Sequence, residues 1–315
     1  MGSHNAKAVE YMATEFTRLP ATFSGNRIFV QPVTSDDVQL TFYTDTGGGG
    51  MFIEPATVHR LGLPVMSTEG ESIASESVVF PAFHPDASIP RGRYSDQLAI
   101  VAAPYRDTDV MRWDGFLGQS WFADRVWKFD YLQRQLAYRT DLGWEIRDHM
   151  CPLGFKTDDA GKRPTAFPRI TARIDGEPRD FLLDTGAMVQ LTVAAQASAV
   201  LADGPRVRGT SFVTHSLFEV WRTRHPDWRV VENADAYDGE AMIQVPVVHL
   251  AGYDVGPVWF TRRSDANFHE YLSQWMDQRV DGALGGSVFQ YFTMVVDYRR
   301  ARAYFSTSGS FGLND

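Results

Sequence analysis

The chain has 315 residues, 44% hydrophobic and 13% aromatic, which suffices for one large cored domain or two ordinary ones and leaves no segment biased towards disorder. Its formal net charge of -9 excludes the Lys/Arg surplus that nucleic acid or an anionic membrane attracts, and no run of about 18 apolar residues could span a bilayer. The lone cysteine, Cys151, excludes an intrachain disulfide and a Cys-x-x-Cys metal site.

In chain order, the start MGSHNAKAVEYM has no apolar signal core, and Gly2-Ser3-His4 looks like the remnant of an expression tag. If a secretion signal was removed with it, a periplasmic or secreted location is slightly favoured over a cytoplasmic one. Residues 5–20 predict a short helix or an arm, within an N-terminal arm of 1–26. From Arg27 the texture is that of strands: RIFVQPV, a polar turn at Ser35-Asp36-Asp37, then VQLTFYT running into Asp45. This predicts a hairpin ending at an Asp-Thr-Gly triplet, residues 45–47. Met51-Phe52-Ile53 then predicts a strand. PATVHRLGL predicts a short helix, with Pro55 in its first turn and Gly62 at its stop.

The pattern recurs. RITARI, a turn at Asp175-Gly176, and PRDFLL run into a second triplet, Asp184-Thr185-Gly186; Asp-Gly is a strong hairpin signal. Thr192 is placed to cap VAAQASAVL, which reads as the counterpart of PATVHRLGL. Each triplet has a downstream partner, Asp114-Gly115-Phe116-Leu117-Gly118 and Asp281-Gly282-Ala283-Leu284-Gly285, and the segments that follow align without a gap at an offset of 167 (281−114). The triplets are 139 apart (184−45), so the second half carries 28 extra residues between its motifs. WRTRHPDWRVVENADAYDGEA is the expected site of that insertion. The chain therefore divides into the arm, an N-terminal lobe over 27–150, a linker over 151–167 and a C-terminal lobe over 168–315.

Two carboxylates held a few ångströms apart cannot both ionise comfortably, so the pair retains one proton near working pH. The ionised member can activate water while the protonated one polarises a carbonyl. Gly47 and Gly186 permit tight loops after the acids, and Thr46 and Thr185 offer hydroxyls that can lock the loops together. The Gly47–Gly50 run lacks the ending of a P-loop, and neither HExxH nor GxSxG occurs. Asp114 and Asp281 read as braces of their turns, Asp130 and Asp297 as partners of nearby arginines, and Trp113, Trp121 and Trp127 as core or lobe-interface packing.

The blocks FYTDTGGGGMFIEPATVHRLGL and FLLDTGAMVQLTVAAQ, with their DGxLG loops, resemble the retropepsin-like and pepsin-like aspartic proteases over roughly 27–140 and 168–306. The resemblance implies an all-β protein, mainly β with short helices, made of two pseudo-symmetric acid-protease-like lobes with a cleft between them. It further implies an aspartic endopeptidase acting on peptide or protein substrates as a monomer, with Asp45 and Asp184 as the catalytic pair and with no metal or cofactor. A catalytically silent binding protein with the same fold is the alternative. Gly48 stands where the family carries Ala, Ser or Thr, and Thr44 where the second copy has Leu183, which implies a looser first loop. A flap closing over the substrate is expected near Gly70 and, in the second half, near Gly209, with Tyr94 as the rival flap residue.

Overall fold

The computed structural model describes residues 16–67, 75–102, 112–140, 149–198, 201–309 and Phe311. The protein is mainly β, built as two lobes on one shared sheet. Among the described residues eight strands form the first-lobe sheet, nine the second-lobe sheet and six the shared one, with a small hairpin of Met188–Gln190 and Val207–Gly209 added to the second lobe.

Each lobe is organised by a strand that runs into its aspartate. Phe42–Thr44 is fully buried and lies parallel to Gly115–Leu117, which pairs antiparallel with Met51–Ile53. Glu177–Leu183 lies parallel to Gly282–Leu284, which pairs antiparallel with Ser211–Thr214. Strands covered on both faces read as near-continuous apolar runs, as FYT and FLL do. The hairpin turn ahead of the second aspartate has Asp175 and Gly176 both at positive φ (53° and 75°), the backbone a two-residue primed turn demands.

The extra residues of the second half do not fall where the sequence suggests. Glu54 N–H bonds to the Asp114 carbonyl (2.8 Å) and Thr214 N–H to the Asp281 carbonyl (3.0 Å), so these two residues are counterparts. Glu54 follows Asp45 by 9 residues and Thr214 follows Asp184 by 30, so 21 of the 28 extra residues lie directly after the second triplet. They form the small hairpin and the helix Val193–Ala197, whose N-terminus is capped by the Thr192 hydroxyl (3.1 Å from Ala195 N). The counterpart of the helix Pro55–Leu61 is thus His215–Arg224, not the helix in VAAQASAVL. Local texture misleads because the choice is made at long range, by which strand can pair with Gly282–Leu284. The segment expected to be the insertion supplies instead the last four residues of that helix and an edge strand, Val230–Val231.

The shared sheet runs in the order Thr17–Arg18, Gln135–Arg139, Val126–Asp130, Thr293–Asp297, Arg302–Ser306, Met150–Pro152. Its two middle strands come from different halves, and Lys128 faces Val295, its own counterpart at the 167-residue offset. The pseudo-twofold axis therefore passes through this pair. The start of the described chain holds two short strands and no helix: Thr17–Arg18 edges the shared sheet and Ala21–Ser24 pairs with Arg27–Val30.

Trp121, Trp127, Phe122 and Phe129 fill the core beneath the sheet, all at 0% exposure. Asp297 pairs with Arg300 (3.0 Å), whereas buried Asp130 takes Lys128 (3.3 Å) and the Thr293 hydroxyl (2.8 Å) rather than an arginine. Asp114 accepts from the Thr41 N–H, the Thr57 hydroxyl and the Arg60 guanidinium at 2.6–2.8 Å, which fixes the turn of its loop.

Candidate active site

The parallel pairings bring the two triplets tip to tip. Asp45 N–H bonds to the Leu117 carbonyl (3.0 Å) and Asp184 N–H to the Leu284 carbonyl (2.8 Å). The threonines then cross the axis. Thr46 N–H donates to the Thr185 hydroxyl (3.2 Å), Thr185 N–H to the Thr46 hydroxyl (2.9 Å), and that hydroxyl donates to the Leu183 carbonyl (2.7 Å). Both threonines are fully buried, so these bonds are shielded from competing water.

Each carboxylate accepts from the glycine two residues on, at 2.7 Å for Asp45 and 3.0 Å for Asp184. Each glycine also lies against the other loop's acid: a Cβ on Gly186 would collide with the Asp45 carboxyl, and one on Gly47 with that of Asp184. The absent side chains are what let the carboxylates approach, and the two acids share a side-chain hydrogen bond.

The pair is electrostatically unequal. Burial raises Asp184 well above the usual carboxylate range, and the Asp45 charge and the shared hydrogen bond raise it further. Burial raises Asp45 too, but the bond from Asp184 and the N–H groups of Gly47, Gly48 and Gly186 act the other way. Burial therefore favours retention of a proton by the pair, with Asp184 the more strongly raised of the two.

Gly48, the departure in the first loop, has a packing cause. A Cβ there would overlap the Phe116 ring, so the aromatic of the DGFLG loop occupies the space a side chain would need. Thr44 is equally settled: it is fully buried, and its hydroxyl donates to the Ile28 carbonyl (2.9 Å).

Among the described residues one chamber opens beside Asp45 and another beside both acids. One, of about 360 Å³, has apolar walls that include Phe52, Val101, Trp113 and Phe116. Trp113 thus belongs to the cleft rather than the core, with its ring 5.5 Å from that of Tyr43 and 5.9 Å from that of Phe116. The other, of about 350 Å³, lies towards the second lobe and includes Arg27, Gln190, Asp235, Asp238 and Arg263. Tyr43 borders both, and its hydroxyl donates to the Gly186 carbonyl (2.8 Å). Sequence reading missed Tyr43, Phe116, Arg27 and the Asp235–Arg263 pair. Only the alternation along RIFV and FYT hinted at residues turned towards the cleft.

Gly70 lies outside the described residues; Met66–Ser67 and Glu76–Val79 on either side of it pair antiparallel. Tyr94 is 76% exposed and lines neither chamber. Gly209 is buried against the Gly25-Asn26 turn and donates to the Gly25 carbonyl (2.6 Å), so it is an inter-lobe contact and not a flap tip.

No known protein family matches the chain, and no curated protein does so. Solved structures similar to it span nearly its whole length at 11% identity. An aspartic proteinase from Irpex lacteus covers 93% of this chain and 97% of its own, with a TM-score of 0.49. Basic 7S globulin from soybean covers 93% and 95% with 0.43, and conglutin gamma, a basic 7S globulin from lupine seeds, covers 96% and 100% with 0.46. The chemistry below rests on the geometry of this chain alone.

Proposed function

We propose that the protein is an aspartic endopeptidase in which Asp45 and Asp184 activate a water molecule against a peptide bond. The observation that carries this reading is the glycine-permitted contact of two repeat-related carboxylates with unequal proton affinity.

Ionised Asp45 takes a proton from the attacking water while the proton on Asp184 passes to the peptide carbonyl oxygen, giving a neutral tetrahedral diol. Collapse then returns a diol proton to Asp184, and the proton held by Asp45 goes to the leaving nitrogen. The C–N bond breaks, and the dyad regains its starting charge. Every group needed is a side chain of this chain. The crossed threonine bonds hold the carboxylates in place throughout, which is the preorganisation that general acid–base catalysis requires.

The test is cleavage of a mixed peptide library between pH 3 and 7 by wild type, Asp45→Asn and Asp184→Asn. Turnover by wild type should fall about a thousand-fold or more in each variant. Unchanged turnover in either variant refutes the dyad. Peptide binding without turnover at any pH transfers the protein to the silent two-lobed binding class.

A further inference from the structure

Arg27 is a buried cation that no carboxylate of the described residues neutralises. Its residue is 3% exposed, its Nε meets no hydrogen-bond partner, and among the described residues no carboxylate pairs with it. Two other arginines of the described residues on this side are engaged. Arg263 holds Asp235 (2.8 Å) and Asp238 (3.3 Å) while lying 4.4 Å from the Phe212 ring centroid, and Arg262 takes Glu219 and Glu240. Arg27 has only the face of Phe29, at 5.3 Å. An unpaired buried charge costs several kcal/mol, so a guanidinium kept in this condition points to a ligand that supplies the missing charge.

We propose that Arg27 is the anchor of a carboxylate subsite, so that the second-lobe chamber of the cleft receives either an acidic side chain or the terminal carboxylate of a peptide. Arg27 lines that chamber together with Asp184 and Tyr43. Tyr43 feels both the Asp45 charge and the Arg27 charge, so the cation stands one tyrosine away from the dyad. A carboxylate bound there sits beside the reacting bond, not on it. Of the acids that line the chamber, Asp235 and Asp238 are already held by Arg263, and Asp45 and Asp184 are engaged with each other. Planar guanidinium is the group best matched to a carboxylate. Burial alone depresses the affinity of Arg27 for its proton, and an arriving anion reverses that penalty. That the ligand is a substrate rests on the peptidase reading; the carboxylate site does not.

Binding and turnover are measured separately. Peptides of one sequence, carrying Glu or Gln at each position in turn and ending in a free acid or a carboxamide, are titrated by calorimetry into the Asp184→Asn protein. The same peptides are then offered to wild type. The expected result is about 10- to 100-fold tighter binding for one member of a pair. A Glu-over-Gln preference at a single position identifies a side chain as the source, and an acid-over-amide preference identifies the chain terminus. Arg27→Met should abolish the preference, and Arg27→Lys should retain part of it. Thermal unfolding supplies the folding control: Arg27→Met should melt no lower than wild type, since an unpaired charge is removed, and the preferred peptide should raise the midpoint of wild type only. Equal affinity within every pair, or a preference that persists in Arg27→Met, overturns the subsite. Selective, Arg27-dependent binding without hydrolysis by wild type keeps the subsite and refutes the peptidase. Hydrolysis without charge selectivity does the reverse.

Discussion

Thr46 and Thr185 hold each other across the pseudo-twofold axis, each backbone N–H donating to the other's hydroxyl. Removing one hydroxyl orphans two groups at once. Thr46→Ala leaves the Thr185 N–H without its acceptor and the Leu183 carbonyl without its donor, both fully buried. We expect a loss of about 1–3 kcal/mol in urea unfolding and a larger fall in kcat than in KM. Thr46→Ser, which keeps the hydroxyl, should recover most of both; equal losses in the Ser and Ala variants would show the bonds to be incidental.

The pH–rate profile should be bell-shaped. On the proposed mechanism Asp45 acts ionised and Asp184 protonated, so activity should fall at low pH as Asp45 gains a proton and at high pH as Asp184 loses one. Burial raises both acids, so the acid limb should lie above the ordinary aspartate value of about 3.9. A profile still rising below that pH contradicts the stated balance of burial and hydrogen bonding.

The same shift governs stability. Between the ordinary carboxylate pKa and the raised value of Asp184, the folded state binds a proton that the unfolded state has released. Stability conferred by that proton is complete below the unfolded pKa and is lost as pH rises through the folded one. Asp184→Asn removes the dependence. The variant should therefore gain on wild type as pH rises from 4 to 7. Thermal melts at the two pH values measure this, and a constant difference counts against it.

Gly48→Ser restores the residue type expected at that position of the loop and should nonetheless destabilise, by about 1–3 kcal/mol, because Phe116 fills the space. In a Phe116→Leu background the same change should cost about 1 kcal/mol less. That coupling, read from a double-mutant cycle, separates a steric conflict from a generic loop effect.

What the sequence discloses here is what repeats or acts locally. The Asp175-Gly176 turn, the strands entering Asp45 and Asp184, and the in-register DGFLG and DGALG loops can all be read from neighbouring residues. The position of the insertion cannot, because MVQL and SFVT are equally strand-like and only pairing with Gly282–Leu284 selects between them. Nor can the reason for Gly48, which depends on a ring 68 positions away (116−48), or the isolation of Arg27, which is a statement about every carboxylate that does not reach it. The tryptophans divide on the same principle: Trp121 and Trp127 lie under the sheet, while Trp113, one residue ahead of the Asp114 turn, is delivered to the cleft wall.

Where Lys128 faces Val295, a strand meets its own duplicate. Such a contact is isologous, so two separately translated halves would each carry the surface that joins them. Their union would then be second order in concentration, and a dilute cell would hold mostly incomplete clefts. One continuous chain makes the encounter unimolecular, at an effective concentration in the millimolar range for short tethers. Completion of the cleft thereby becomes independent of how much protein is present, and each half is free to diverge, one towards an aromatic chamber and the other towards a charged one.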